Sequence, residues 1–201
     1  MRVPRLTAAG GRANIRRLLF ASALVLVSMA VREPMVAFGA TDRLPTVTVG
    51  EKDGVYSVTA RFHVADSAAI ARAVLTDYEQ IPRFMSTIKT SVVRERTPDR
   101  AIVEQEAVSR LLLFSKRIHL LLEIVEETDT LHFRDRCGTS FSKYQGSWHI
   151  SEDGGRTEIE YMLTAQPTFD VPEFVLTRVL QRDSARMITQ LQREIATRAA
   201  R

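Results

Sequence analysis

Hydrophobic and polar positions alternate through much of this chain. In VYSVTARFHV (55–64), Tyr56, Val58, Ala60, Phe62 and Val64 share one face and mostly polar residues stand between them. A period of two marks a half-buried strand, because successive strand side chains point to opposite faces. The same period runs through TSVVRER (90–96), AIVEQEAV (101–108), RIHLLLEIVEE (117–127) and TLHFRDR (130–136). GSWHISEDGGRTEIEYML (146–163) reads as a hairpin. Trp148 and Ile150 on one arm and Ile159, Tyr161 and Leu163 on the other form its apolar face, and Glu152–Gly155 supplies the turn. TVTV (46–49) reads as a short strand before the Asp53-Gly54 turn.

Elsewhere the period changes to that of a helix. SAAIARAVLTDY follows an N-cap at Asp66 or Ser67 and ends near Tyr78, ahead of Pro82. IPRFM (81–85) reads as a helical turn or loop. From about 173 to 199, apolar residues recur at 176, 180, 187, 191 and 195, flanked by 175, 179 and 188. That spacing predicts one long amphipathic helix of up to ~40 Å, with Pro172 suited to its first turn. The predicted order is strand, helix pair, five or six antiparallel strands, long helix. A one-sided sheet needs cover over its apolar face, and the C-terminal helix is the obvious cover. The fold class is therefore α+β, an antiparallel sheet covered by a single helix, and a strongly curved sheet that grips one helix often leaves space between them.

Composition agrees with a packed core: 45% of the 201 residues are hydrophobic and 26% charged. The net charge of +4 points towards nucleic acid until its distribution is read. Residues 1–40 hold six arginines and one acid, Glu33, so the rest of the chain is near neutral and lacks the basic excess that phosphate binding favours. Arg12, Arg16 and Arg17 precede the uncharged run LLFASALVLVSMAV (18–31), which has the length of a signal-peptide core and is short for a membrane span. Residues 1–40 are expected to be a signal peptide or an N-terminal anchor, and 41–201 an exported domain, periplasmic or extracellular. The one cysteine, Cys137, has no partner for an internal disulfide and reads as structural.

Three stretches carry a family resemblance. AVLTDYEQIPRFM (73–85) resembles the early helix-and-loop motif of START-like proteins, the SRPBCC superfamily. In particular it is similar to the polyketide cyclase/dehydrase and coenzyme Q-binding branch. FSKYQGSWHIS (141–151) with TEIEYML (157–163) resembles the late hairpin of that branch, and QPTFDVPEFVLTRVL (166–180) its approach to the C-terminal helix. The likeness spans roughly residues 50–197. It implies a helix-grip fold with a deep apolar cavity and a hydrophobic ligand such as a lipid, an isoprenoid quinone or a polyketide. It implies no catalytic residue at any position here.

Phe84, Leu122, Phe133, Trp148 and Tyr161 are the candidate cavity-lining residues, large in contact area and, for Tyr and Trp, with a polar handle. Glu106 and Asp135 are the candidate polar groups; a buried carboxyl has a raised pKa and can act as an acid or base. Lys116 breaks the apolar parity of its strand and is placed at the cavity mouth or turned outward by a bulge. His63, His119, His132 and His149 lie on different strands, opposite the apolar faces, with no metal-ligand spacing. No Walker loop or GxGxxG motif occurs, so no cofactor and no metal are expected. LLLF (111–114), between Arg110 and Lys116-Arg117, has the chemistry of a membrane-surface tip. The function these features favour is an exported carrier or binding protein for a lipid or quinone. The alternatives are a polyketide cyclase/dehydrase using a cavity carboxylate or Tyr161, and a domain whose cavity is filled.

Overall fold

The computed structural model describes residues 46–201 apart from 112 and 113. The leader at 1–40 and the centre of the LLLF tip, with the membrane contact read from it, lie outside the described residues. Strand β1 (Thr46–Lys52) turns through Asp53 and Gly54, both at positive φ, into β2 (Val55–Val64). Helix α1 (Ala68–Thr76) starts where the Ser67 hydroxyl accepts a hydrogen bond from the Ile70 amide. It stops two residues short of Tyr78. A tight turn at Tyr78–Gln80 and the single helical turn α2 (Ile81–Phe84) follow. Six strands come next: β3 (Ile88–Arg96), β4 (Arg100–Leu111), β5 (Phe114–Glu126), β6 (Thr130–Asp135), β7 (Phe141–Asp153) and β8 (Arg156–Pro167). Helix α3 (Glu173–Ala199) ends the chain.

The eight strands form one antiparallel sheet in the order β1-β2-β8-β7-β6-β5-β4-β3. The register pairs apolar residues with apolar residues: Phe62 opposes Ile159, Ala60 opposes Tyr161, Trp148 opposes Tyr161 and Ile150 opposes Ile159. This collects the inward positions of every strand on one concave face, as the period-two pattern requires. Helix α3 lies against that face. Its Ile188, Leu191 and Ile195 are fully buried and share one core with Val58, Val74, Val103 and Ile159. Burial of each such side chain contributes ~1.5–3 kcal/mol. This is the predicted α+β helix-grip architecture, with a curved sheet around the C-terminal helix.

Polar contacts fix α1 and α3 at the sheet ends. Tyr78 is buried, donates to Glu126 Oε1 at 2.9 Å and lies under the Arg96 guanidinium, 5.3 Å from its ring centre. Asp77 pairs with Arg198 of α3 at 2.9 Å. Asp77 and Tyr78 thus hold the end of α1, a structural role.

Candidate ligand cavity

The concave face and the first half of α3 do not close on each other completely. Between them lies a cavity of about 170 Å³, lined mainly by apolar side chains. Ile118 and Leu120 of β5, Ala107 of β4, Phe141 of β7 and Leu163 of β8 supply the sheet wall. Leu176, Val179, Leu180 and Met187 supply the helix wall, and Phe169 closes the approach to α3. These helix positions follow the apolar stripe of the sequence, so the element that seals the core also walls the cavity.

Two tyrosines place the polar groups in this interior. Tyr161 of β8 and Tyr144 of β7 both line the cavity. Burial raises both pKa values, that of Tyr144 to about 12 and that of Tyr161 well above its ordinary 10.0. Both phenols therefore stay protonated at neutral pH. They can donate a hydrogen bond to a carbonyl, hydroxyl or anion, and neither serves as a base. Gln105 also faces the cavity, held by its Nε2 donating to Ser91 Oγ at 3.0 Å.

Helix and sheet are latched at the mouth. Ser109 Oγ of β4 donates to Asp183 Oδ2 at 2.7 Å, and Arg182 donates both to Asp183 Oδ1 at 2.9 Å and to the Arg110 carbonyl at 2.9 Å. Lys116 lies inside the mouth, its Nζ 4.5 Å from the centre of the Phe169 ring. Lys116 therefore points inward with the parity of Ile118, and no bulge turns it away.

Of the lining candidates read from sequence, Tyr161 borders this cavity and the other four support it or lie apart. Trp148 packs behind Tyr161 with ring centres 4.4 Å apart, and Phe133 stacks on its other side at 6.2 Å. Leu122 is buried in the same core. Phe84 stands near Glu194 and Arg198, by the last turns of α3, while the cavity borders Leu176 to Met187. Glu106 alternates onto the outer face opposite His119, because it is Gln105 that points inward. Asp135 has the inward parity of Phe133, but the strand ends there and its carboxylate caps the next loop. It accepts from the amides of Leu121 at 2.8 Å, Cys137 at 3.2 Å and Gly138 at 3.0 Å.

Sequence reading passed over Tyr144, although its parity with Trp148 puts it on the apolar face. It also took the histidines as isolated. His119 in fact bridges Glu104, 2.9 Å from its Nε2, and Cys137, 3.7 Å from its Nδ1. The order of groups resembles a nucleophile, base and acid. The Cys137 sulfur, however, is turned to the Asp135 carboxylate, 3.2 and 3.5 Å from its oxygens, and stands farther, 3.7 Å, from the His119 ring. Among the described residues no set of three His, Cys, Asp or Glu side chains is placed to hold a metal ion.

Comparison with known proteins agrees with this architecture. A sequence family described as polyketide cyclase / dehydrase and lipid transport matches residues 73–192. A search of curated proteins finds no match. Among solved structures, TTHA0849 from Thermus thermophilus superimposes with a TM-score of 0.62 at 17% identity, over 71% of this chain and 99% of that one. The Zhui aromatase/cyclase from Streptomyces sp. R1128 gives 0.61 at 13% identity, over 72% and 95%. The STAR-related lipid transfer protein from Xanthomonas axonopodis (fragment 25–204) gives 0.55 at 12% identity, over 77% and 99%. At these identities the likeness bears on fold alone, and it is the START-like fold expected from the three sequence stretches.

Proposed function

We propose, for a chain that belongs to the polyketide cyclase / dehydrase and lipid transport family, that it binds and carries a hydrophobic small molecule in the cavity between the sheet and α3. The observation that carries this reading is the cavity wall: it is apolar on both the sheet and the helix side, with two protonated tyrosines inside. Apolar burial there supplies affinity at about 25 cal/mol per Å². The phenols and Gln105 orient one polar group of the guest. The solved relatives named as a lipid transfer protein and as an aromatase/cyclase support a guest that is a lipid or a polyketide-like ring system; an isoprenoid quinone rests on the sequence resemblance alone. Asp183 is the only carboxylate on the cavity wall among the described residues, and it is engaged by Ser109 and Arg182. That lack of a free base favours carriage over cyclisation. The cyclase alternative rests on the Tyr144–Tyr161 pair, which can polarise a carbonyl.

The proposal extends to location. Residues 1–40, with arginines ahead of an uncharged run, act as a signal peptide or anchor, and the domain from 41 onward works outside the cytoplasm, in the periplasm or beyond. Native mass spectrometry of the protein purified from its own host, followed by organic extraction, tests both parts. The expected result is a lipid or quinone at near one-to-one on a chain that has lost its leader or fractionates with membrane. An empty protein that takes up neither fatty acids nor quinones overturns the carrier reading; an intact leader on a cytoplasmic protein overturns the export reading.

A further inference from the structure

The cavity mouth is basic. Beside the apolar cavity, sharing Thr87, Val108 and Asp183 with it, is a depression lined by Lys89, Arg110, Arg182 and Arg186. Lys116 adds a fifth positive charge from inside the mouth. One carboxylate, Asp183, stands among them, and it is shared between Ser109 and Arg182. Lys89 donates only to the Ser86 carbonyl, at 2.8 Å. Among the described residues Lys89, Arg110, Lys116 and Arg186 have no carboxylate within ion-pair distance. Elsewhere on this domain some cations are paired, such as Arg61 with Glu158 and Glu160, Arg94 with Glu104, Arg96 with Glu126 and Arg134 with Glu123, and others, such as Arg83 and Lys143, have no carboxylate partner among the described residues; what sets the mouth apart is five cations around one opening with a single carboxylate. An excess of unneutralised charge at one point is unfavourable in the empty protein through mutual repulsion, and it raises the local concentration of anions.

We infer that the guest is an anionic amphiphile, whose carboxylate or phosphate sits on Lys89, Arg110, Lys116 and Arg186 while its apolar part enters the cavity. The inference rests on the carrier reading and names its ligand class. Geometry supports it in two ways. Lys89, Arg110 and Arg186 line the depression and not the cavity, and Lys116 is the one cation on the cavity wall, so a head held among them leaves the apolar part in contact with Ile118, Leu120 and Met187. The 170 Å³ interior is below the ~300–1,000 Å³ of drug-sized pockets, so it takes a small ring system or part of one chain, a dodecyl chain entering it only in part, and not two acyl chains.

Isothermal titration of the full chain with dodecanoate, dodecyl phosphate, 1-dodecanol and inorganic phosphate tests this, with Trp148 fluorescence as a second readout because that ring touches Tyr161. The expected result is that both anionic probes bind about tenfold or more tighter than dodecanol, with a preference that shrinks as salt is raised. Arg186→Gln and Lys116→Gln should each weaken the anionic probes more than dodecanol and so bring them towards it. Equal binding of charged and uncharged probes overturns the anionic head while leaving the carrier reading intact. Binding of none of the three amphiphiles overturns the carrier reading itself. If inorganic phosphate binds as tightly as dodecyl phosphate, the rim is a free-anion site and the inference fails. It also fails if the probes show no preference but vesicles containing phosphatidylglycerol, and not those of phosphatidylcholine alone, retain the protein in a Lys116- and Arg186-dependent manner, because the rim then docks a membrane.

Discussion

Gly146 and the cavity tyrosines show how much single side chains decide here. A Cβ on Gly146 would run into the Met162 carbonyl and come 2.6 Å from Phe133 Cζ. Glycine here lets the Met162 backbone of β8 and the Phe133 ring, which supports Tyr161, both come this close to β7. Gly146→Ala should therefore lower stability by ~1–3 kcal/mol, read as a lower urea midpoint with unchanged slope. Titration gives a second expectation. Tyr78, Tyr144 and Tyr161 have raised folded-state pKa values, chiefly through burial, so their stabilisation is complete below pH 10 and is lost as pH climbs through the folded values. Glu104, lowered mainly by its hydrogen bond to His119, and Glu123, lowered mainly by Arg134, work in the opposite sense. Their contribution is present above about pH 4.5 and falls away on acidification. The urea midpoint should be flat between these limits and drop on both sides. A midpoint that climbs above pH 10 would contradict the burial of the three phenols.

At the scale of elements, α3 has two tasks divided along its length. Its second half, through Ile188, Leu191 and Ile195, seals the core, and its first half, through Leu176, Leu180 and Met187, walls the cavity. Leu191→Ala should cost ~2–5 kcal/mol in unfolding free energy, because the site is fully enclosed. Met187→Trp should fill the cavity instead, abolishing uptake of dodecanoate in the titration above while the circular dichroism spectrum stays native. The elements themselves were readable from periodicity. The β2 strand and α3 have the predicted bounds, because Asp53-Gly54 and Pro172 are strong punctuation. The starts of β5 and β7 were missed by several residues, since Lys116 and Gly146 interrupt the apolar alternation that marks a strand. Site residues were harder to read. Parity locates the inner face, and Tyr161 lies on the cavity while Leu122 and Phe133, on the same face, are plain core. What separates them is where α3 crosses the sheet, a distance of tertiary packing that no local pattern encodes. Asp135 shows the other limit: correct parity, but a strand end that lets the carboxylate turn to the amides of Leu121, Cys137 and Gly138.

For the molecule as a whole, the neighbours of β2 are its hairpin partner β1 and the late strand β8, so Tyr56 to Val64 pair with Thr157 to Ala165. The sheet cannot close across this seam until nearly all of the chain exists, and the core that α3 completes comes later still. Such long-range pairing belongs to slow folders, in the ~ms–s range for two-state domains. A polypeptide emerging from the ribosome would thus present β2 with an open side throughout synthesis. A sheet whose seam stays open until the last strand is made leaves an unpaired edge that a chaperone can hold.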